Sequence, residues 1–99
     1  MLNGCYVMVK VKVRFYASLR DKYKVKEVEV DCDGGLESFM DSLDSKVKGA
    51  RRDLFDNEKK SVKENMIFLL NGINVKNMKE PIKFKDGDLV SIFPPIAGG

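Results

Sequence analysis

Along residues 9–16, Val-Lys-Val-Lys-Val-Arg-Phe-Tyr, apolar and basic residues alternate with the period of two that a half-buried strand requires. The alternation assigns Val9, Val11, Val13 and Phe15 to a core face and Lys10, Lys12 and Arg14 to water. Residues 25–30 alternate again, with Val28 and Val30 opposite Glu27 and Glu29. A basic outer face beside an acidic one suits cross-strand pairing. The polar segment 17–24 between the two strands reads as a connection, with Arg20, Asp21 and Lys22 solvated, which makes an N-terminal hairpin the simplest arrangement. Gly34-Gly35 then breaks the pattern, and Leu36, Phe39, Met40, Leu43 and Val47 recur at helical spacing as far as Gly49. That stripe predicts an amphipathic helix starting near Leu36 and packed on the core.

Residues 50–65 are charged and only loosely patterned, with Leu54 and Phe55 as anchors and room for a short helix at 51–55. Residues 66–70 are a continuous apolar run of strand length, and Asn71-Gly72 is a strong hairpin signal into Ile73-Asn74-Val75. Asp86-Gly87-Asp88 marks another turn. In residues 89–93, the last strand, Val90 and Ile92 share one face and Leu89, Ser91 and Phe93 the other. Pro94-Pro95 ends it, because neither proline has an N–H to donate to a ladder. The element order is strand, strand, helix, strand, short strand, strand, an α+β pattern.

At 99 residues the chain is about one domain's worth and can bury a modest core without staples. With 43% hydrophobic and 33% charged residues, neither disorder nor a fibrous repeat is indicated. The net charge of +3 comes from 18 basic residues with 15 acidic ones scattered among them, a weak argument for nucleic acid. No apolar run approaches membrane-spanning length, and residues 1–8 lack the pattern of a signal peptide, so a cytoplasmic location is expected. Cys5 and Cys32 offer a single possible bridge and no metal-binding spacing; both are expected as reduced thiols. Histidine is absent, which removes the commonest general base, the Ser-His and Cys-His nucleophile pairs and the commonest transition-metal ligand. Chemistry carried by this chain must come from something other than a side-chain triad.

The sharpest feature is the ending, Phe93-Pro94-Pro95-Ile96-Ala97-Gly98-Gly99, directly after a strand. Two terminal glycines arise by chance in about half a per cent of chains at average glycine usage. Extended, the residues from Pro94 onward reach roughly 20 Å. Gly98 and Gly99 present no side chain to a narrow channel, and Pro94 and Pro95 stiffen the base, which lowers the ordering cost of insertion. That shape suits a carboxyl group that must reach a distant active site. The contrasting reading, a frayed terminus, leaves the fixed spacing of turn, strand and prolines unexplained.

Residues 11–17 (Val-Lys-Val-Arg-Phe-Tyr-Ala), Leu70-Asn71-Gly72, residues 86–90 (Asp-Gly-Asp-Leu-Val) and residues 93–99 together resemble the small subunits of molybdopterin synthase, ubiquitin-like sulfur carriers, over nearly the whole chain from Met8. The resemblance implies a ubiquitin-like β-grasp over residues 8–99: a mixed sheet packed on one main helix, with the first and last strands as central neighbours. Residues 94–99 would be its tail and residues 1–7 an N-terminal extension. It implies that a ubiquitin-activating-type enzyme adenylates Gly99 at the expense of ATP, and that a sulfur donor converts it to a thiocarboxylate. The tail residues Pro94, Pro95, Ile96, Ala97 and Gly98 would then carry it into the large synthase subunit, where sulfur passes to a pterin precursor. The carrier supplies a reagent and no catalytic side chains, with no permanently bound cofactor or metal. The segment 47–65 is longer and more basic than the shortest members of that family need. Tyr16, Phe93 and Leu69 fall on the outward phase of their strands and are expected to form an apolar partner-docking patch beside the tail.

Other readings share parts of this pattern. Lys10, Lys12 and Arg14 could attract RNA, but no stacking motif accompanies them, and Glu27 and Glu29 are expected to flank them. A protein modifier joined to lysines through Gly-Gly, and a thiamine-type sulfur carrier, use the same activation chemistry.

Overall fold

β1 (Val9–Phe15) buries Val11, Val13 and Phe15 and exposes Lys10, Lys12 and Arg14, as its alternation requires. The computed structural model describes residues 8–95; the extension 1–7 and the tail residues Ile96, Ala97, Gly98 and Gly99 lie outside the described residues. β2 (Glu27–Cys32) pairs antiparallel with β1, two residues further along than the sequence pattern places it. The register sets Lys10 against Asp31, Lys12 against Glu29 and Arg14 against Glu27, so the basic and acidic faces meet residue for residue.

The expected connection over residues 17–24 is instead a helix, α1 (Ala17–Tyr23), closed by Lys24 at φ 58°. It was illegible as a periodic element because only Leu19 in it is buried, so no stripe of apolar positions marks it. The main helix α2 (Leu36–Lys46) starts where predicted and buries Phe39, Met40 and Leu43. It stops short of Gly49: Val47 is its C-cap and continues the buried stripe, and Gly49 instead caps α3 (Ala50–Leu54). β3 (Phe55–Asp56) and β4 (Ser61–Val62) form a separate small antiparallel sheet that the sequence pattern does not announce, because strands of two residues carry no periodicity.

β5 (Ile67–Leu70) turns through Asn71-Gly72 into β6 (Ile73–Asn74), with both turn residues at positive φ, 51° and 87°. That conformation is what a two-residue hairpin turn demands and what Asn-Gly tolerates. The Asn71 side chain also bridges to β7 (Asp88–Phe93), donating to Asp88 Oδ1 at 3.0 Å and accepting from the Leu89 N–H at 2.9 Å. A 3₁₀ turn, Val75–Asn77, follows β6.

The five-stranded sheet has the order β2-β1-β7-β5-β6, with β1 and β7 parallel and the other pairs antiparallel. The first and last strands are therefore central neighbours. One core lies between the inner face of this sheet and α2; Phe39 is stacked on Phe84 and meets Phe68 edge-on. Leu54 and Phe55 are fully buried, as expected of anchors. Arg51 fastens α3 to α2 by reaching Glu37 at 2.7 Å and Asp41, its guanidinium lying 4.8 Å from the Phe55 ring centroid.

α1 is held differently. The Tyr23 ring meets Phe15 edge-on, and its hydroxyl donates to Asp53 Oδ2 at 2.7 Å, where Lys22 also pairs at 3.1 Å. Burial and this hydrogen bond raise the Tyr23 pKa above the ordinary tyrosine range. Burial alone would raise that of Asp53, but Tyr23 and Lys22 outweigh it and hold the carboxyl below its usual value. Because the folded state favours the neutral phenol, the stability it contributes is fully present below about pH 10 and is lost as pH rises beyond that. Tyr23→Phe should cost about 1 to 2 kcal/mol in urea melts at neutral pH. The difference between the two proteins should shrink above about pH 10; a difference independent of pH would remove the hydroxyl from this account.

Candidate functional site

The base of the tail is built by the register of β1 on β7. The last registered pair is Phe15 with Ile92, and the Tyr16 N–H continues the ladder by donating to the Ile92 carbonyl at 3.1 Å. One step further stands Tyr16 beside Phe93, their rings stacked with centroids 4.3 Å apart and planes 10° apart. Each covers one face of the other and both are half-buried, so they are partly exposed and adjacent, as expected from their outward strand phase. Pro94, half-buried, and Pro95, exposed, follow at once, and β7 ends at Phe93 as the two prolines require.

Leu69, the third expected docking residue, lies opposite Ser91, and Ile67 lies opposite Phe93. Both are half-buried on the outer face, since their neighbours Phe68 and Leu70 point to the core. The apolar patch thus comprises Tyr16, Phe93, Leu69 and Ile67, with Leu89 further along the same face of β7. Ile67 was missed because the run 66–70 is apolar throughout, although its spacing of two from Leu69 would have placed it there.

Beside this mainly apolar half, the outer face of β1 and β2 is charged, and two of its three facing pairs close into ion pairs. Arg14 Nε donates to Glu27 Oε1 at 2.8 Å, and Lys10 pairs with Asp31 at 3.6 Å. The hydrogen bond from Arg14 holds the Glu27 carboxyl below its usual range, and the same bond raises the Arg14 pKa. A hollow of about 420 Å³ lined by Arg14, Tyr16, Arg20 and Lys26 adjoins the aromatic stack.

The described residues hold no group of three or more Asp, Glu or Cys side chains arranged for a metal ion, and no helix long and apolar enough to cross a membrane. Cys32 is a buried free thiol whose pKa burial pushes up, the opposite of what a reactive thiolate needs. Cys5 lies outside the described residues. What the described arrangement does is fix the root of a C-terminal segment and offer a mainly apolar surface with an aromatic pair around it.

Residues 13–99 match the model of the ThiS family. A molybdopterin synthase sulfur carrier subunit from Drosophila ananassae is 32% identical over 92 residues, covering 93% of both chains. A small archaeal modifier protein 3 from Haloferax volcanii is 34% identical over 95 residues, covering 92% of this chain and all of that protein. Among solved structures, the small archaeal modifier protein 1 from Methanosarcina acetivorans superposes with a TM-score of 0.74 at 26% identity, covering 94% of this chain and 99% of that one. The sheet order and the helix on its inner face are accordingly those of a ubiquitin-like β-grasp.

The aromatic stack predicts a coupling. In a double-mutant cycle of Tyr16→Ala and Phe93→Ala, the two changes should be non-additive in unfolding free energy by about 0.5 to 1.5 kcal/mol. Strict additivity would mean that the rings are neighbours without mutual support.

Proposed function

The chain belongs to the ThiS family, and on that premise we propose that it is the sulfur-carrying small subunit of a molybdopterin synthase. The observation that carries this reading is the register that ends β7 on a pinned Phe93 immediately before Pro94-Pro95, the root of a tail whose sequence ends Gly98-Gly99. A carrier needs its carboxyl at a fixed distance from a rigid body, and this root supplies the fixed end.

In this reading a Gly99 carboxylate oxygen attacks the α-phosphorus of ATP on an adenylating enzyme, and pyrophosphate leaves. The mixed anhydride makes the carbonyl carbon electrophilic. A persulfide sulfur from a donor protein displaces AMP, and reductive cleavage of the resulting S–S bond by a thiol leaves the thiocarboxylate. The tail then enters the large synthase subunit, which supplies the catalytic side chains, and sulfur passes to the pterin precursor. ATP is consumed on the activating enzyme and is not a resident cofactor of this chain. The patch around Tyr16, Phe93 and Leu69 docks the large subunit, because partly exposed aromatic anchors beside a reactive tail suit a recurring interface.

A second reading has specific support in the names of the Haloferax and Methanosarcina relatives, which are protein modifiers. Activation at Gly99 is common to both readings, but a modifier ends joined to a lysine and a carrier ends as a thiocarboxylate. Intact mass after co-expression with an adenylating enzyme separates them: sulfur in place of oxygen at Gly99 supports the carrier, and lysine-linked conjugates without it support the modifier.

Deleting Gly99 should leave the thermal midpoint nearly unchanged. It withdraws the carboxyl by about 3 Å, which should lower sulfur transfer on the order of a hundredfold or more. A deletion variant still thiocarboxylated and transferring at the normal rate would exclude the carrier reading. Phe93→Lys should fold normally yet weaken binding to the large subunit about tenfold or more, and wild-type affinity by calorimetry would remove the patch from the mechanism.

A further inference from the structure

Away from the tail, a groove follows the segment between the 3₁₀ turn and Phe84. One hollow of about 550 Å³ is floored by Val62, Val75 and Ile82, with Lys76 and Glu64 at its edge. A second, of about 580 Å³, shares Val75 and Ile82 with the first and adds Leu36 and Pro81. A third shares Pro81 and Lys83 with the second and adds Leu70 and Met78. The shared linings make one continuous trough with an apolar floor, part of it the edge of the core at Val62, Val75 and Leu70, and charged rims, and Ile73, paired with Leu70 in the ladder, stands 57% exposed beside its end.

The charges around the trough are unbalanced. Glu37 is taken up by Arg51 and Lys60, and Glu64 by Lys59. Lys76, Lys79 and Lys83 are exposed and form no ion pair among the described residues, leaving three free cations against the single carboxylate of Glu80. On the sheet face, by contrast, Lys10 and Arg14 each have an acidic partner within the fold, and Lys12, without an ion pair among the described residues, stands opposite Glu29 in the ladder.

We propose that this trough docks an acidic, amphipathic segment of a partner protein, its apolar residues on Val75, Ile82 and Met78 and its carboxylates on Lys76, Lys79 and Lys83. Charge complementarity selects the sign of the partner, and the apolar floor selects a segment with a hydrophobic face. The floor has no aromatic ring on which a nucleic-acid base would stack.

Position gives the trough its consequence. The Phe84 N–H donates to the Gly34 carbonyl at 2.8 Å and Lys83 bridges to Gly35, which ties this segment to the start of α2, just past the Cys32 end of β2. Cys32 pairs with Val9, whereas Tyr16 and Phe93 stand at the opposite end of β1 and β7. A partner held in the trough leaves the root of the tail uncovered, so the protein can be tethered by one partner while its C-terminus is engaged by another. This holds whichever chemistry the tail performs.

The test is a titration of the full-length, isotope-labelled protein with a synthetic amphipathic helix of leucines and glutamates, followed by amide chemical shifts. The expected result is saturable shifts confined to Val75, Lys76, Met78, Ile82 and Lys83, with Tyr16, Leu69 and Phe93 unmoved. The double variant Lys76→Glu, Lys83→Glu should weaken binding about tenfold or more, and raised salt should weaken it further. A peptide with the same leucines and lysines in place of the glutamates should bind far more weakly. Equal binding of the two peptides, shifts centred on Phe93, self-association through this face, or binding to phosphatidylserine vesicles with none to the acidic peptide would each overturn the proposal.

Discussion

The parallel pairing of β1 with β7 is the contact on which the rest of the molecule depends. It joins residues nearly the whole chain apart, Val11 with Asp88 through Phe15 with Ile92, and places both strands at the centre of the sheet. Closing so long a loop is costly in chain entropy, and the compensation is burial: Val11, Val13, Val90 and Ile92 are all inaccessible to solvent. Local hydrogen bonds lock the ends of the pairing. Asp86 accepts from the Lys10 N–H and Gly87 donates to the Lys10 carbonyl at one end, and Tyr16 donates to Ile92 at the other.

From that pairing the root of the C-terminal segment follows directly. A parallel neighbour continues in register beyond its last formal pair, so fixing Phe15 against Ile92 also fixes Tyr16 against Phe93. The chain then leaves the sheet through two prolines that cannot extend the ladder. A buried central strand therefore ends, within two residues, in an emerging segment whose starting point is rigid. The helices contribute by closing the core: α2 covers the inner face, Arg51 fastens α3 to it, and Tyr23 joins α1 to Asp53 of α3.

The two halves of the outer sheet face divide the surface by chemistry. On β1 and β2 two of the three facing charge pairs, Lys10 with Asp31 and Arg14 with Glu27, close into ion pairs across the strands, and Lys12 stands in register with Glu29. On β7 and β5 the outward residues are Leu89, Ser91, Phe93, Ile67 and Leu69, a mainly apolar surface contiguous with the root of the tail. Surface ion pairs of this exposed kind contribute little stability, so the ladder on β1 and β2 serves register and solubility more than fold energy. It also leaves Lys10 and Arg14 engaged within the fold.

By itself the sequence determined those elements whose side-chain periodicity is long enough to be counted. The alternation of β1, the stripe from Leu36 to Val47, the Asn71-Gly72 turn and the phase of Val90 and Ile92 all specify local conformation and its buried side, and the structure places them there. It also named Tyr16, Phe93 and Leu69 as outward residues, because period two is a property of the strand alone. It did not announce α1, with one buried residue, or the short β3–β4 sheet, because elements that small are held by contacts from elsewhere, Tyr23 by Asp53 and Phe55 by its burial under Arg51. Only the tertiary structure decided that Tyr16 and Phe93 stack on one another and that Ile67 joins them. Which outward residues become neighbours depends on strand order and register, and those are set by long-range pairing between segments that carry no local record of each other.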